Sequence, residues 1–315
     1  MRRLLRKALS PLLPRGLRCE CVKQTEMLML LGKLHVDRVA KLHAGAPLAE
    51  AEFRVFSQFG DDGIIQHLIR HVPISSETFI EFGVQDYRES NTRFLLLNDN
   101  WRGLVIDGDA RAIASIWREE IAWRQDLSAV ARFLDRDNIN GIFRESGFQG
   151  KIGLLSIDVD GVDYWIWERI DAVEPDIVIA EYNSVFGPRM AVTVPYDPAF
   201  ARTRAHHSNL FWGCSLRALE LLGKKKGYAL VGSNSAGNNA YFVRQDRLGP
   251  LVPLAADAAY VESRFRESRD EQGHKTFVGG KARLEIIRHL PVVDVETGRT
   301  APIGELSGLR SEHGE

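Results

Sequence analysis

Five apolar runs in the middle of this sequence lead into acids. FIEFG carries Glu81 and Gly83, LVIDGD carries Asp107 and Asp109, and Asp126 follows the run ending at Arg124. LLSIDVDG carries Asp158, Asp160 and, two residues on, Asp163, and IVIAEYN carries Glu181 and Asn183. A single acid in such a place is most simply a helix N-cap. Five of them at one edge would repel, so the set calls for a cationic ligand or a metal ion among them. Asp158, Glu181 and Asn183 together offer two carboxylates and an amide carbonyl, the hard oxygen donors that suit Mg²⁺. An acid closing a second strand can instead accept both hydroxyls of a ribose, which fits Asp107. Gly83 lets the backbone pass close to a ligand. The residues after it, Val-Gln-Asp-Tyr-Arg-Glu, form no GxGxxG turn, which speaks against a pyrophosphate-bearing cofactor there.

For these acids to meet, the runs before them must be neighbouring strands. The pattern predicts strands over 78–82, 103–107, 121–124, 152–158, 176–181, 228–232 and 239–244. Helical spacing covers 61–71, 88–98, 110–120, 128–146, 162–172 and 208–226, with a further helix over 20–43. Nearly continuous apolar strands alternating with helices mean an α/β, Rossmann-like fold, its parallel sheet of about seven strands covered on both faces. One connection breaks the alternation. YALVG and NAYFV are joined by only SNSAGN, too short for a parallel crossover of about a dozen residues, so these two strands must pair antiparallel. A dinucleotide-binding dehydrogenase domain is parallel throughout. A reversed last strand belongs instead to the class I methyltransferase sheet. The expected division is a basic tail and helix over 1–50, a core over 51–246, and an extension over 247–315 packed on that core.

The 315 residues are 44% hydrophobic and 26% charged, which excludes a disordered or fibrous chain. Lys and Arg number 41 against 42 acids, so there is no global basic field and nucleic acid is not an expected partner. No apolar run approaches the roughly 18 residues of a membrane span. Three cysteines, Cys19, Cys21 and Cys214, make no disulfide framework, and the expected location is the cytoplasm. The charge is uneven. Arg2, Arg3, Arg6, Lys7, Arg15 and Arg18 stand among the first 18 residues with no acid, leaving a net −7 for the remainder against −1 overall. Two readings of that segment stand: a peripheral contact with the inner face of an anionic membrane, or a frayed tail broken by Pro11 and Pro14.

EFGVQDYRESNT, LVIDGD, NINGIF, LLSIDVDGVDYWIWE and PDIVIAEYNSVFGP resemble the FkbM-type SAM-dependent methyltransferases, most closely a bacterial branch found among surface-polysaccharide genes. The likeness covers about residues 55–295 and is most specific at IDVDG. It implies a class I methyltransferase fold, S-adenosyl-L-methionine (SAM) as methyl donor, and commonly a sugar or glycoconjugate hydroxyl as acceptor. Carried across residue by residue, it places Glu81, Gly83 and Asn91 in the first cofactor segment. It also places Asp107 at the ribose, Asp126 facing the adenine amine, and Asp158 at the edge of the cofactor. The later glycines of the first cofactor segment are missing here.

A sugar hydroxyl is a poor nucleophile at neutral pH, so transfer needs a base or a metal that lowers its pKa. Asp158 is one candidate for that work. The segment 184–208 is long enough to be a lid or binding loop and holds His206 and His207. As neutral imidazoles they would deprotonate an acceptor; alternatively they cap the helix after them. SNSAGNN (233–239) either hydrogen-bonds a polyol or merely turns the hairpin. Trp165 and Trp167 read as core. FRESRDEQG (265–273) reads as a solvated helix end, or as a lid or homodimer contact that brings Arg264, Arg266 and Arg269 towards an anionic acceptor. The leading expectation is a SAM-dependent O-methyltransferase of a small-molecule or glycan acceptor, assisted by Mg²⁺. Asp158-Val159-Asp160 also matches the DxD of a metal-dependent nucleotide-sugar glycosyltransferase, and a non-catalytic protein that binds SAM or a partner is the third reading.

Overall fold

The computed structural model describes residues 15–306, with side chains from residue 24 onward. The basic segment read as a membrane contact or tail lies outside the described residues, apart from the backbone of its last few. The helices are α1 (Arg15–Val39), α2 (Leu48–Ala51), α3 (Asp61–His71), α4 (Arg93–Asp99), α5 (Ala110–Ile116), α6 (Ile121–Arg124), α7 (Ile139–Glu145), α8 (Asp163–Arg169), α9 (Arg202–Ala205), α10 (Leu216–Lys226), α11 (Ala256–Ala259) and α12 (Lys281–Ile287). Among them run the strands β1 (Thr78–Phe82), β2 (Arg102–Asp107), β3 (Leu127–Ala131), β4 (Gly150–Ile157), β5 (Val173–Glu181), β6 (Val192–Thr193), β7 (Tyr228–Ser233), β8 (Asn239–Arg244), β9 (Pro291–Asp294) and β10 (Thr300–Pro302). Among the described residues no helix is long and apolar enough to cross a membrane.

The main sheet has the order β3-β2-β1-β4-β5-β8-β7. The first five strands are parallel, and β8 runs antiparallel between β5 and β7. This is the class I methyltransferase sheet, with the reversed strand where the short connection requires it. The order turns back between β1 and β4, so the carboxyl ends of those strands open the crevice in which such sheets bind ligands. Both faces are covered. Along β5, Ile177 and Ile179 enter one apolar cluster and Val178 and Ala180 the other; Tyr241 with Val243 and Ala240 with Phe242 divide in the same way on β8. That two-sided burial is why these strands read as unbroken apolar runs. Local signals fix the helices around them. Ser215 caps α10 by accepting from the Ala218 amide, and the helix stops at Gly227, left-handed at φ 84°, after three lysines. Asp109 caps α5 by accepting from the Arg111 and Ala112 amides, so for this acid the cap is its role.

The third strand is displaced from its expected position. Residues 121–124 form the short helix α6 with only Ile121 buried, and Trp123 is exposed. The strand is Leu127–Ala131, where the expected long helix over 128–146 was to begin; that helix is confined to α7. Only Leu127 and Ala129 alternate inward, which is the period of a strand lying at the sheet's edge. A second, three-stranded antiparallel sheet, β10-β9-β6, was not foreseen. It joins the 184–208 segment to the end of the chain around Phe186, Val192, Phe211, Ile287 and Val292. The expected lid is therefore largely packed structure with an apolar core of its own.

Candidate active site

At the switch point β1 ends in Glu81-Phe82 and the chain turns at Gly83, whose φ is 68°. A Cβ at Gly83 would overlap the carbonyl oxygen of Asp158, so only glycine lets the ends of β1 and β4 approach this closely. Glu81 is buried, and its carboxylate is consumed in bracing the next loop. Oε1 accepts from the Asn91 amide at 2.8 Å, and Oε2 accepts from the Thr92 amide at 3.0 Å and from the Thr92 hydroxyl at 2.5 Å. Burial outweighs these bonds and pushes Glu81 up to about 7. The Asn91 side-chain amide donates to the Ser156 hydroxyl at 3.1 Å, tying the loop to β4. Glu81 and Asn91 thus shape the crevice wall, while Gly83 lines it.

Asp107 closes β2 at the same edge. Its Oδ2 accepts from the Gln85 amide at 2.7 Å and its Oδ1 from the Asp109 amide at 2.7 Å. Each oxygen keeps lone pairs for further donors, as two vicinal hydroxyls would supply. Asp126 is elsewhere. Because the third strand begins after it, Asp126 stands at the amino end of β3, exposed and 3.8 Å from the Arg102 guanidinium at the start of β2. The expected adenine contact is corrected: this acid is at the wrong edge of the sheet. Beyond β3, at the right edge, stands Phe133, 60% exposed, its ring near Gly108.

The ends of β4 and β5 bring three carboxylates together. Ligand oxygens of Asp158, Asp160 and Glu181 all lie within 4.8 Å of one another. Glu181 is buried, and its Oε2 has no hydrogen-bond partner. Burial, together with the neighbouring acids, holds both Asp158 and Glu181 well above the usual carboxylate range. Asp160 sits at φ 56°, a left-handed conformation that a non-glycine residue seldom takes. Asp163 stands outside this trio. It accepts from the Val159 amide at 2.8 Å and the Gly161 amide at 3.1 Å, fixing the turn that presents Asp158 and Asp160. Burial raises it to about 6.

Asn183 does not join the acids. Its amide donates to the carbonyls of Leu210 at 2.9 Å and Trp212 at 3.0 Å, and its Oδ1 accepts from the Val185 amide at 3.0 Å. With its donors and acceptor so engaged it braces the adjoining loop, and the third acid grouped with Asp158 and Glu181 is Asp160. His206 and His207 lie side by side in the 184–208 segment. The His206 ring packs on His207 and His289, its Nδ1 2.8 Å from the Ser208 hydroxyl, and burial lowers its pKa. The segment reaches the acids through Arg202 instead, 3.4 Å from Asp160 and lying over the Trp212 ring.

The hairpin amides are also spoken for. Asn234 and Asn239 donate to the buried Asp61 at 3.0 and 2.9 Å, Tyr241 donates to the same oxygen, and Ser235 donates to Glu52. SNSAGNN therefore closes the hairpin onto α3. Trp167 is core, and Trp165 donates to the Val194 carbonyl at 2.9 Å. Residues 265–273 are not helical; the chain turns there, and the Arg269 amide donates to the Ser208 carbonyl. Just before that turn Phe265 stacks near-parallel on Phe59 at 5.8 Å, in the wall of an open groove of about 400 Å³ that also holds Arg54 and Arg264. Phe265 also borders a narrow cleft with Asn183, Arg202 and Trp212, next to the acids.

No protein-family model matches this sequence, and no curated protein matches it. Solved structures do. The N-terminal domain of EvdMO1 with SAH bound is 11% identical, aligned over 60% of this chain and 80% of that one at a TM-score of 0.39. The CurJ carbon methyltransferase is 9% identical, over 60% of this chain and only 56% of its own, at 0.39. A putative RNA methyltransferase, PH1948 from Pyrococcus horikoshii, is 9% identical, over 68% and 96%, at 0.35. At such distances function has to be argued from this chain's own geometry.

Asp160 was visible in the sequence as the second acid of Asp-Val-Asp, but two other residues near this edge were not singled out. Arg202 carried no signal, since its partner lies 42 residues before it. Phe133 was hidden by the misplaced third strand.

Proposed function

We propose that this chain is a SAM-dependent O-methyltransferase of the FkbM type, acting on a sugar or glycoconjugate hydroxyl with help from a divalent cation such as Mg²⁺. The observation that carries the reading is the acid trio at the carboxyl edge, next to a glycine that only a close backbone approach explains. Among the described residues Asp158 and Glu181 have no ion-pair partner, and Asp160 shares one exposed arginine contact. A cation is the simplest relief for such a set.

The donor fits the residues present. Asp107 has lone pairs for two ribose hydroxyls, and Phe133 offers adenine an exposed stacking face. SAM, when bound, supplies an electrophilic methyl on a sulfonium cation. Asp158, Asp160 and Glu181 form the oxygen set for a divalent ion, which would lower the pKa of a neighbouring hydroxyl. Asp158, at the end of β4 beside the proposed ion, is the carboxylate placed to take the acceptor's proton. For the acceptor, Phe59 and Phe265 give a sugar ring an apolar face, and Arg54 and Arg264 favour one that carries acid groups.

Calorimetric titration with SAH and with UDP-sugars tests this. Heat with SAH and none with UDP-sugars is the expected result. The reverse replaces the proposal with the glycosyltransferase reading, which one observation favours: Asp158 and Asp160, the two acids of a DxD, stand together in the trio.

A further inference from the structure

Helix α1 is apolar on two opposite sides, and only one of them is used. Gly32, Val36 and Val39 face the core. A Cβ on Gly32 would press on Phe94 and Val55, and Val39 is buried with Ala51, Phe53 and Phe94. At 3.6 residues per turn, Met27, Leu30, Leu31 and Leu34 share an arc of about 100° on the far side. They are 62%, 64%, 52% and 66% exposed. Scattered exposed leucines need no explanation, but four large apolar side chains lined up along two turns mark a surface that something covers.

Charge identifies the occupant. Lys33 lies exposed on the helix and Lys41 just after its end, against the exposed Glu26 and Asp37, and Arg15 and Arg18 stand at its beginning. Arg2, Arg3, Arg6 and Lys7 precede it, with no acid among the first 18 residues, while the rest of the chain carries a net −7. An anionic lipid surface complements both parts. The stripe enters the boundary between headgroups and acyl chains, and the cations meet the headgroups. The net negative remainder is repelled by the same surface, so only this end approaches it. A second copy of the chain fits less well. Four side chains along about 10 Å of helix fall short of the roughly 800 Å² per partner that a stable interface buries.

We propose that the Met27–Leu34 stripe docks this protein on an anionic bilayer, with α1 lying in the plane of the interface. The inference is independent of the catalytic reading.

Co-sedimentation of the full 315-residue chain with vesicles tests it. Vesicles of phosphatidylcholine and phosphatidylglycerol should carry the protein down, and vesicles of phosphatidylcholine alone should leave it in solution. The double variant Leu30→Glu/Leu34→Glu should lower partitioning to the anionic vesicles by about tenfold or more, because two buried side chains are exchanged for charge. The packed face of α1 is untouched, so thermal unfolding of that variant should match the wild type. Wild-type protein that stays in solution with anionic vesicles overturns the proposal. So does a double variant that binds as well as wild type, since the stripe then plays no part. So does a concentration-dependent dimer, seen by sedimentation velocity, that the double variant abolishes while neither protein binds vesicles.

Discussion

The carbonyl oxygen of Asp158 fills the space that a β-carbon on Gly83 would need. The turn after β1 and the turn after β4 are thereby locked together through backbone atoms, and the crevice between them owes its shape to that approach. Gly83→Ala must push the two turns apart and also places a side chain at φ 68°. A loss of about 1–3 kcal/mol in stability is expected, as for overpacking of a tight site, together with loss of SAH binding. Urea unfolding and calorimetry read the two effects separately. An alanine variant that binds SAH like the wild type would show that the approach serves folding alone.

Asp107 and Asp126 offer a paired comparison. Asp107→Ala removes the acceptor for the Gln85 and Asp109 amides as well as the proposed ribose contact. A charge-assisted pair of hydrogen bonds lost in this way should weaken SAH binding by about 10- to 100-fold. Asp126→Ala breaks only an exposed ion pair at the opposite edge. It should leave SAH affinity unchanged and stability within about 1 kcal/mol.

The reversed strand was legible because six residues cannot carry a parallel crossover, a constraint that no tertiary context relaxes. The third strand was not. IAWR and LSAVA are both short and partly apolar, and only the partner β2 decides which of them extends the sheet. At the site, Glu81, Asp107, Asp158 and Glu181 could be placed because a strand end fixes where its last side chain lies. Asn183 could not be read alone. Whether its amide faces a metal or a carbonyl is set by Leu210 and Trp212, 27 and 29 residues later. The small sheet was invisible for a similar reason: β6 is two residues long and finds its partner β9 about a hundred residues on.

The acid trio predicts a metal effect with a definite sign. Without a cation, Asp158, Asp160 and Glu181 repel, so Glu181→Gln should raise the melting temperature of the metal-free protein by removing a buried charge. With Mg²⁺ at about ten times its dissociation constant the wild type should gain about 1.4 kcal/mol. Asp160→Asn and Glu181→Gln should lose most of that gain. Melting curves of the three proteins with EDTA and with Mg²⁺ decide it, and equal responses from all three would remove the metal from the site.

Two buried acids away from the trio predict how stability varies with pH. Burial raises Asp62 to about 6, although the Val55, Phe56 and Ser57 amides donate to it, and Glu81 to about 7. Their ordinary values in the unfolded chain are 3.8 and 4.5. Between those limits the folded state holds more protons than the unfolded one, so stability falls as pH rises. From these two groups it should be greatest below about pH 4 and decline through pH 7, flattening once both are ionised in the folded state. Denaturant midpoints from pH 5 to 8, at constant salt and without divalent ions, give the slope directly. The variant Asp62→Asn/Glu81→Gln should flatten that slope whatever its absolute stability, because neither amide titrates. A wild-type slope of opposite sign, or one that the double variant leaves unchanged, would mean that these carboxylates are already ionised in the folded protein at pH 5.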